Sequence, residues 1–158
     1  MRNFKLSSLT ISLIALFLLT ICATPLLAAN SKYVTVKKDG VNIRSAPNTK
    51  SEILWEVFKD FPLQVIGRKG DWLHTKDFEG DKGWIFKNLV SSRKKVIVKV
   101  NTANLRVGPG TNYELTATVK YGVVFTPLSK ENGWIKVKHD DGTTGWIAAK
   151  LLWPADSI

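Results

Sequence analysis

Cysteine and histidine are almost absent from this chain. Its 158 residues include one Cys and two His. A single Cys excludes an intrachain disulfide, and so few Cys and His side chains exclude most zinc sites built from these ligands. We therefore expect no metal and no cofactor. Without cross-links, the stability of the fold must come from packed cores.

The first thirty residues have the pattern of an export signal. Arg2 and Lys5 form a short basic start, residues 9–27 carry no charge, and Ala28-Ala29 offers small side chains to a signal peptidase. We predict a signal peptide over 1–29. An uncleaved membrane anchor is an alternative, because the apolar run is long enough to cross a bilayer. Cys22 leaves a lipoprotein as a weaker alternative.

Acidic residues are too few to balance the basic ones. Lys and Arg number 23 against 13 Asp and Glu, which gives a net charge of +10. An exported protein does not meet the nucleoid, so we expect no nucleic-acid partner. Acidic wall polymers and anionic lipid head groups remain as partners for such a charge. We expect the basic side chains, including the run Arg93-Lys94-Lys95, to be solvated.

The rest of the chain consists of two copies of one sequence unit. A shift of 62 residues superimposes residues 34–89 on 96–151 without a gap. Matching Trp and Gly residues at one constant offset indicate a true internal repeat. The paired residues include Asn42/Asn104, Arg44/Arg106, Pro47/Pro109, Trp72/Trp134, Gly83/Gly145 and Trp84/Trp146. We predict two domains, at 30–92 and 93–158.

Each unit has the pattern of a small β domain. Short runs of apolar and β-branched residues at 33–36, 53–57, 63–66, 72–75 and 83–86 alternate with turn signals, and no helical periodicity extends over a helix length. Strand alternation places Ile53, Trp55 and Val57 on the core face. It places Trp72 and Trp134 on the polar face. The predicted fold is all-β, with a small barrel or sandwich in each unit.

The repeated motifs resemble the bacterial SH3-like (SH3b) domain. The resemblance is carried by Val41-Asn42-Ile43-Arg44 and Gly83-Trp84-Ile85 in the first copy. In the second copy it is carried by Ala103-Asn104-Leu105-Arg106-Val107-Gly108-Pro109-Gly110-Thr111-Asn112-Tyr113. The resemblance implies two tandem SH3-like barrels of five to seven strands. It also implies a non-catalytic module of an exported protein that recognises peptidoglycan peptides or a protein partner.

The first copy departs from the family pattern. Ala46 and Asn48 replace the two glycines, and Ser51 stands where the second copy has Tyr113. These departures put a binding role for the first copy in doubt.

The second copy supplies most candidates for a ligand site. Aromatic rings offer a large contact area at little entropic cost, and an Arg beside them can pair with a ligand carboxylate. Alternatively, the aromatic rings pack the barrel, the Asn braces the loop backbone and the Arg lies along the barrel. The candidate residues are Trp72, Asn104, Arg106, Tyr113, Trp134 and Trp146.

No catalytic group recurs in both copies. Asp77, Glu79 and Asp81 fall in a turn, where acids are common without a metal. Together with the export pattern, the resemblance implies a non-enzymatic binding or adaptor protein in the periplasm or cell envelope, whose partner is a cell-wall peptide or an envelope protein. The alternatives are a membrane-anchored regulator with an uncleaved N-terminus and an accessory subunit of a cell-wall hydrolase.

Overall fold

The computed structural model describes residues 32–156, and these form two sheets of seven antiparallel strands. The first sheet has the order β3-β2-β6-β5-β4-β1-β7. Its strands are β1 (Lys32–Val36), β2 (Val41–Arg44), β3 (Ile53–Val57), β4 (Pro62–Lys69), β5 (Trp72–Lys76), β6 (Lys82–Phe86) and β7 (Val90–Ser91), with a 3-10 turn at Lys87–Leu89 before β7.

The second sheet repeats the first, with the order β10-β9-β13-β12-β11-β8-β14. Its strands are β8 (Val96–Val98), β9 (Thr102–Arg106), β10 (Leu115–Lys120), β11 (Val124–Glu131), β12 (Trp134–Lys138), β13 (Thr144–Ala148) and β14 (Leu152–Trp153), with a 3-10 turn at Ala149–Leu151. The all-β prediction and the tandem repeat are confirmed.

Each sheet curves around one apolar core, to which all seven of its strands contribute. Alternation along the strands sends every second side chain inward. Ile85 and Ile147 are fully buried, whereas their neighbours Trp84 and Trp146 lie half-buried on the outer face. Gly145 permits the close approach of β13 to β9, because a Cβ there would overlap Leu105.

A β-bulge overturns part of the predicted core face. Arg44 pairs with Ile53 and Ile43 pairs with Trp55, so Leu54 is the extra residue of β3. A bulge reverses the alternation beyond it. Ile53 is therefore 49% exposed, and only Val57 and part of Trp55 reach the core. The same shift in β10 leaves Leu115 48% exposed.

The two barrels pack against each other through apolar side chains. Ile97 of β8 is fully buried in the core cluster of the first barrel. Val124 and Trp153 of the second barrel pack against the same cluster. The ring of Trp153 meets Tyr33 of β1 edge to face, with centroids 5.4 Å apart. The two cores therefore share a boundary instead of being separated by a solvated linker.

Tyr121 makes a second contact across this boundary. Its ring lies 5.3 Å from the ring of Phe78 in the first barrel. Its hydroxyl donates a 2.5 Å hydrogen bond to Oε1 of Glu79, and this bond raises the pKa of Tyr121 to about 12.

A buried ion pair also joins the barrels, and it contradicts the expectation of solvated basic residues at the junction. Lys95 is 8% exposed, and its Nζ lies 2.9 Å from Oδ2 of Asp60, which is itself buried. The same Nζ donates to Oδ1 of Asp140 at 3.2 Å. Oδ1 of Asp60 lies 3.3 Å from the guanidinium of Arg93, without hydrogen-bond geometry.

The helical segments within 32–156 are the two three-residue 3-10 turns, and neither could cross a membrane. The predicted signal peptide and its alternatives lie outside the described residues.

Candidate functional site

Two grooves lie at equivalent positions on the outer faces of the two barrels. Five lining positions carry the same residue in both copies, and these are Asn42/Asn104, Arg44/Arg106, Thr49/Thr111, Trp72/Trp134 and Leu89/Leu151. The Asn and Arg come from β2 and β9, and the Trp begins β5 and β12. The repeated sequence motif thus builds the same concave surface twice.

Trp72 and Trp134 lie where strand alternation predicted them. Trp134 is half-buried on the outer face, while Ile135 and Val137 beside it are fully buried. Neither Trp is in a core cluster of the described residues. A half-buried indole that lines a groove offers a flat apolar surface to a ligand.

The arginines, and not the asparagines, brace the neighbouring loop. Arg44 Nη1 donates to the carbonyl of Ser51 at 2.8 Å, and Arg106 Nη1 donates to the carbonyl of Tyr113 at 2.7 Å. The expectation that the Asn braces the loop is wrong. Within 32–156, the side-chain amides of Asn42 and Asn104 make no hydrogen bond, so both are available to a ligand in the groove.

Both grooves are positively charged. Arg44 and Lys38 line the first groove, and Arg106 and Lys150 line the second. No Asp or Glu lines either groove, and neither lysine has an ion pair within the described part of the chain. Arginine and lysine beside an unpaired amide suit a ligand that carries carboxylates.

Tyr113 and Trp146, two of the predicted site residues, do not line the groove of the second barrel. The ring of Tyr113 lies over Gly108 and Gly110. A Cβ at Gly108 would overlap this ring, and a Cβ at Gly110 would overlap the side chain of Asn112. Trp146 pairs across strands with Arg106 on one side and with Lys136 on the other. The structure therefore brings together only Asn104, Arg106 and Trp134 of the second copy, with Trp72 in the equivalent place of the first.

Sequence reasoning missed several lining residues. Lys38 and Lys150 lie in turns outside the repeated motifs, and each lacks a basic counterpart in the other copy. Phe86 and Ala148 end the strand that the motif Gly-Trp-Ile defines, and the motif itself does not include them. Thr49 and Thr111 are repeated at the offset of 62, and this signal could have identified them.

An acidic cluster lies away from the grooves. Asp77, Glu79 and Asp81 could bring oxygen ligands within 4.8 Å of one another. However, Oδ1 of Asp77 accepts from the amides of Glu79 and Asp81, and Glu79 accepts from Tyr121. Burial raises the pKa of the Asp77 carboxyl. The cluster has a structural explanation as a braced turn at the barrel boundary.

The chain belongs to the bacterial SH3 domain family. The family matches it twice, at residues 37–92 and 99–154, which confirms the resemblance to tandem SH3b domains. Both matches include a groove with its Asn, Arg and Trp.

Two bacterial proteins are similar to this chain. One is YrvJ of Bacillus subtilis (strain 168), named for an N-acetylmuramoyl-L-alanine amidase activity, which is 26% identical over 74% of this chain and 24% of its own length. The other is p60 of Listeria innocua, named for an endopeptidase activity, which is 32% identical over 41% of this chain and 15% of its own length. The chain thus spans a quarter or less of these relatives.

Among solved structures, an NlpC/P60 family protein from Bacillus cereus is similar. It is 14% identical, with a TM-score of 0.36, over 76% of this chain and 55% of that protein. NlpC1 from Trichomonas vaginalis is 15% identical, with a TM-score of 0.33, over 78% of this chain and 45% of its own.

Proposed function

We propose that this protein is an exported, non-catalytic binding protein whose two grooves hold acidic peptides of the bacterial cell wall. The observation that carries the proposal is the repeated set of Asn, Arg and Trp in two positively charged grooves without a lining acid. A carboxylate can pair with the guanidinium, the amide can bond to a peptide group, and the indole can cover an apolar part of the ligand.

The relatives support the choice of ligand class. YrvJ is named for an amidase of N-acetylmuramoyl-L-alanine, a component of wall material, and p60 is named for an endopeptidase; the similarity to this chain covers a small part of each. A similar segment that forms a small part of a larger protein suits a binding module, which would hold that protein on the cell-wall polymer. The grooves themselves contain no nucleophile paired with a base, as hydrolysis would need.

A second candidate function is that of an accessory subunit of a wall hydrolase, and the names of the relatives favour it. In that case the protein binds the wall without cleaving it, and a hydrolase co-purifies with it. An intact N-terminus in the membrane fraction would support the anchored alternative.

Binding to purified peptidoglycan sacculi tests the proposed function. We expect the protein to sediment with sacculi and to release no muropeptides. Trp134→Ala should weaken binding by about 1–2 kcal/mol, the usual contribution of an aromatic anchor. Phe58→Ala is the matched control, since Phe58 is an exposed aromatic residue outside both grooves.

Three results would count against the proposal. The first is sedimentation that Trp72→Ala and Trp134→Ala together leave unchanged. The second is an equal loss of binding in Phe58→Ala. The third is release of muropeptides by the purified protein.

A further inference from the structure

The two grooves share one framework but differ in size. The first has a volume of about 560 Å³ and the second about 700 Å³. The shared Asn, Arg, Thr, Trp and Leu cannot cause this difference, because they occupy the same positions in both barrels. The cause must lie in the lining residues that the two copies do not share.

One cross-strand pair differs in bulk between the two grooves. Trp72 lies opposite Phe86, and Trp134 lies opposite Ala148 at the equivalent register. The rings of Trp72 and Phe86 meet edge to face with centroids 5.5 Å apart. In the second barrel the methyl group of Ala148 leaves the space beside Trp134 open, so this indole faces a wider groove.

Besides the shared Arg, each groove is lined by one lysine, and the two lysines belong to different elements of the barrel. Lys38 belongs to the turn between β1 and β2, and Val100 holds the equivalent position in the second barrel. Lys150 belongs to the 3-10 turn after β13, and Asn88 is its counterpart. Relative to the shared Arg, the second positive charge therefore has a different location in each groove.

We propose that the two grooves have different specificities, an inference that rests on the proposed function. The first groove takes a linear acidic wall peptide, because Phe86 occupies the space beside Trp72. The second takes a branched acidic peptide, whose second chain fits the space at Ala148 and whose additional carboxylate pairs with Lys150. The residue at 86 and 148 determines which ligand fits.

Calorimetric titration with two synthetic probes tests this inference. One probe is a linear wall tetrapeptide, and the other is the same peptide with a second peptide chain on its diamino acid side chain. Trp134→Ala weakens the second groove, so that the first becomes the tighter site, and Trp72→Ala does the reverse. We expect the first groove to bind the linear probe about tenfold more tightly than the branched one, because a filled pocket excludes added bulk by roughly this factor. We expect the second groove to prefer the branched probe.

Exchange of the residues at 86 and 148 should exchange the preferences. Ala148→Phe, tested together with Trp72→Ala, should remove the preference of the second groove for the branched probe. Phe86→Ala, tested together with Trp134→Ala, should admit the branched probe to the first groove. Neither residue belongs to a core cluster of the described residues, so thermal melts should stay close to those of the parent proteins.

A charge variant tests the same inference by removing one positive charge from the second groove. Lys150→Gln should weaken binding of the branched probe at the second groove more than binding of the linear probe. Lys94→Gln is its matched control and should change neither, because Lys94 is exposed and lines neither groove. Equal affinities of both probes at both grooves, or an unchanged preference in the exchange variants, would overturn the inference alone. Failure of the unaltered protein to bind either probe would overturn the proposed function and this inference with it.

Discussion

In the loop beside the second groove, Gly108 packs against the ring of Tyr113. The first copy has different residues at both positions, so the contribution of this contact to stability can be tested by substitution. A methyl group at Gly108 would overlap the ring of Tyr113. In the first copy the equivalent residues are Ala46 and Ser51, and the Ser51 hydroxyl donates to the carbonyl of Ala46 at 2.8 Å. Glycine and the aromatic ring therefore belong together, as do alanine and serine.

Gly108→Ala should therefore destabilise the protein. Overpacking in a filled site costs about 1–3 kcal/mol. Because Tyr113 is 43% exposed, its ring can move partly outward, and we expect about 1–2 kcal/mol. In a Tyr113→Ser background the obstacle is absent, and the cost of Gly108→Ala should fall to nearly zero. The coupling energy between the two sites is then about 1 kcal/mol or more.

A double-mutant cycle measured by urea unfolding gives this coupling energy. Gly67→Ala is a matched control, because a Cβ at Gly67 meets the nearest side-chain atom at an ordinary 3.4 Å. This variant should change stability little. If Gly108→Ala costs the same free energy with Tyr113 as with Ser at position 113, the packing argument is refuted.

Three further predictions concern stability. Lys95→Met leaves the buried carboxylate of Asp60 without its nearest cation, and urea unfolding should show a loss of about 3 kcal/mol; an unchanged midpoint would mean that the pair contributes nothing. Trp55→Ala should lower the unfolding free energy by about 3 kcal/mol, at the low end for a buried Trp because the indole is half-buried. The folded pKa of Tyr121 is raised from 10.0 to about 12, so its bond to Glu79 stabilises the fold below pH 10 and is lost as pH rises through 12. Ultraviolet titration should show a late phenol that Glu79→Gln returns toward its ordinary range.

The fold could be predicted because its signals are local and repeated. A constant offset of 62 carries every strand of the first barrel onto the second, and this offset is visible without any long-range information. The outward position of Trp134 followed from alternation within one short strand. Alternation failed at Ile53, because a bulge at Leu54 shifts the register and no glycine or proline marks it in the sequence.

The site and the barrel boundary were less predictable because their contacts are long-range. Lys95 meets Asp60 across 35 positions, and no local pattern distinguishes it from the solvated Lys94 beside it. Lys38 and Lys150 reach their grooves from turns whose paths depend on the whole barrel. The choice of Tyr113 as a site residue followed from the motif, in which a packing role and a binding role look alike.

The arginine brace explains how the loop can diverge while the groove stays the same. Arg44 and Arg106 donate to the backbone carbonyl of the loop residue and not to its side chain. A carbonyl is present whether that residue is Ser or Tyr, so the loop can exchange its internal packing without loss of the brace. The Arg therefore keeps its position beside the Asn and the Trp in both copies. The ligand preference of the two grooves can therefore differ through lining residues that the Arg does not hold in place, such as Phe86 and Ala148.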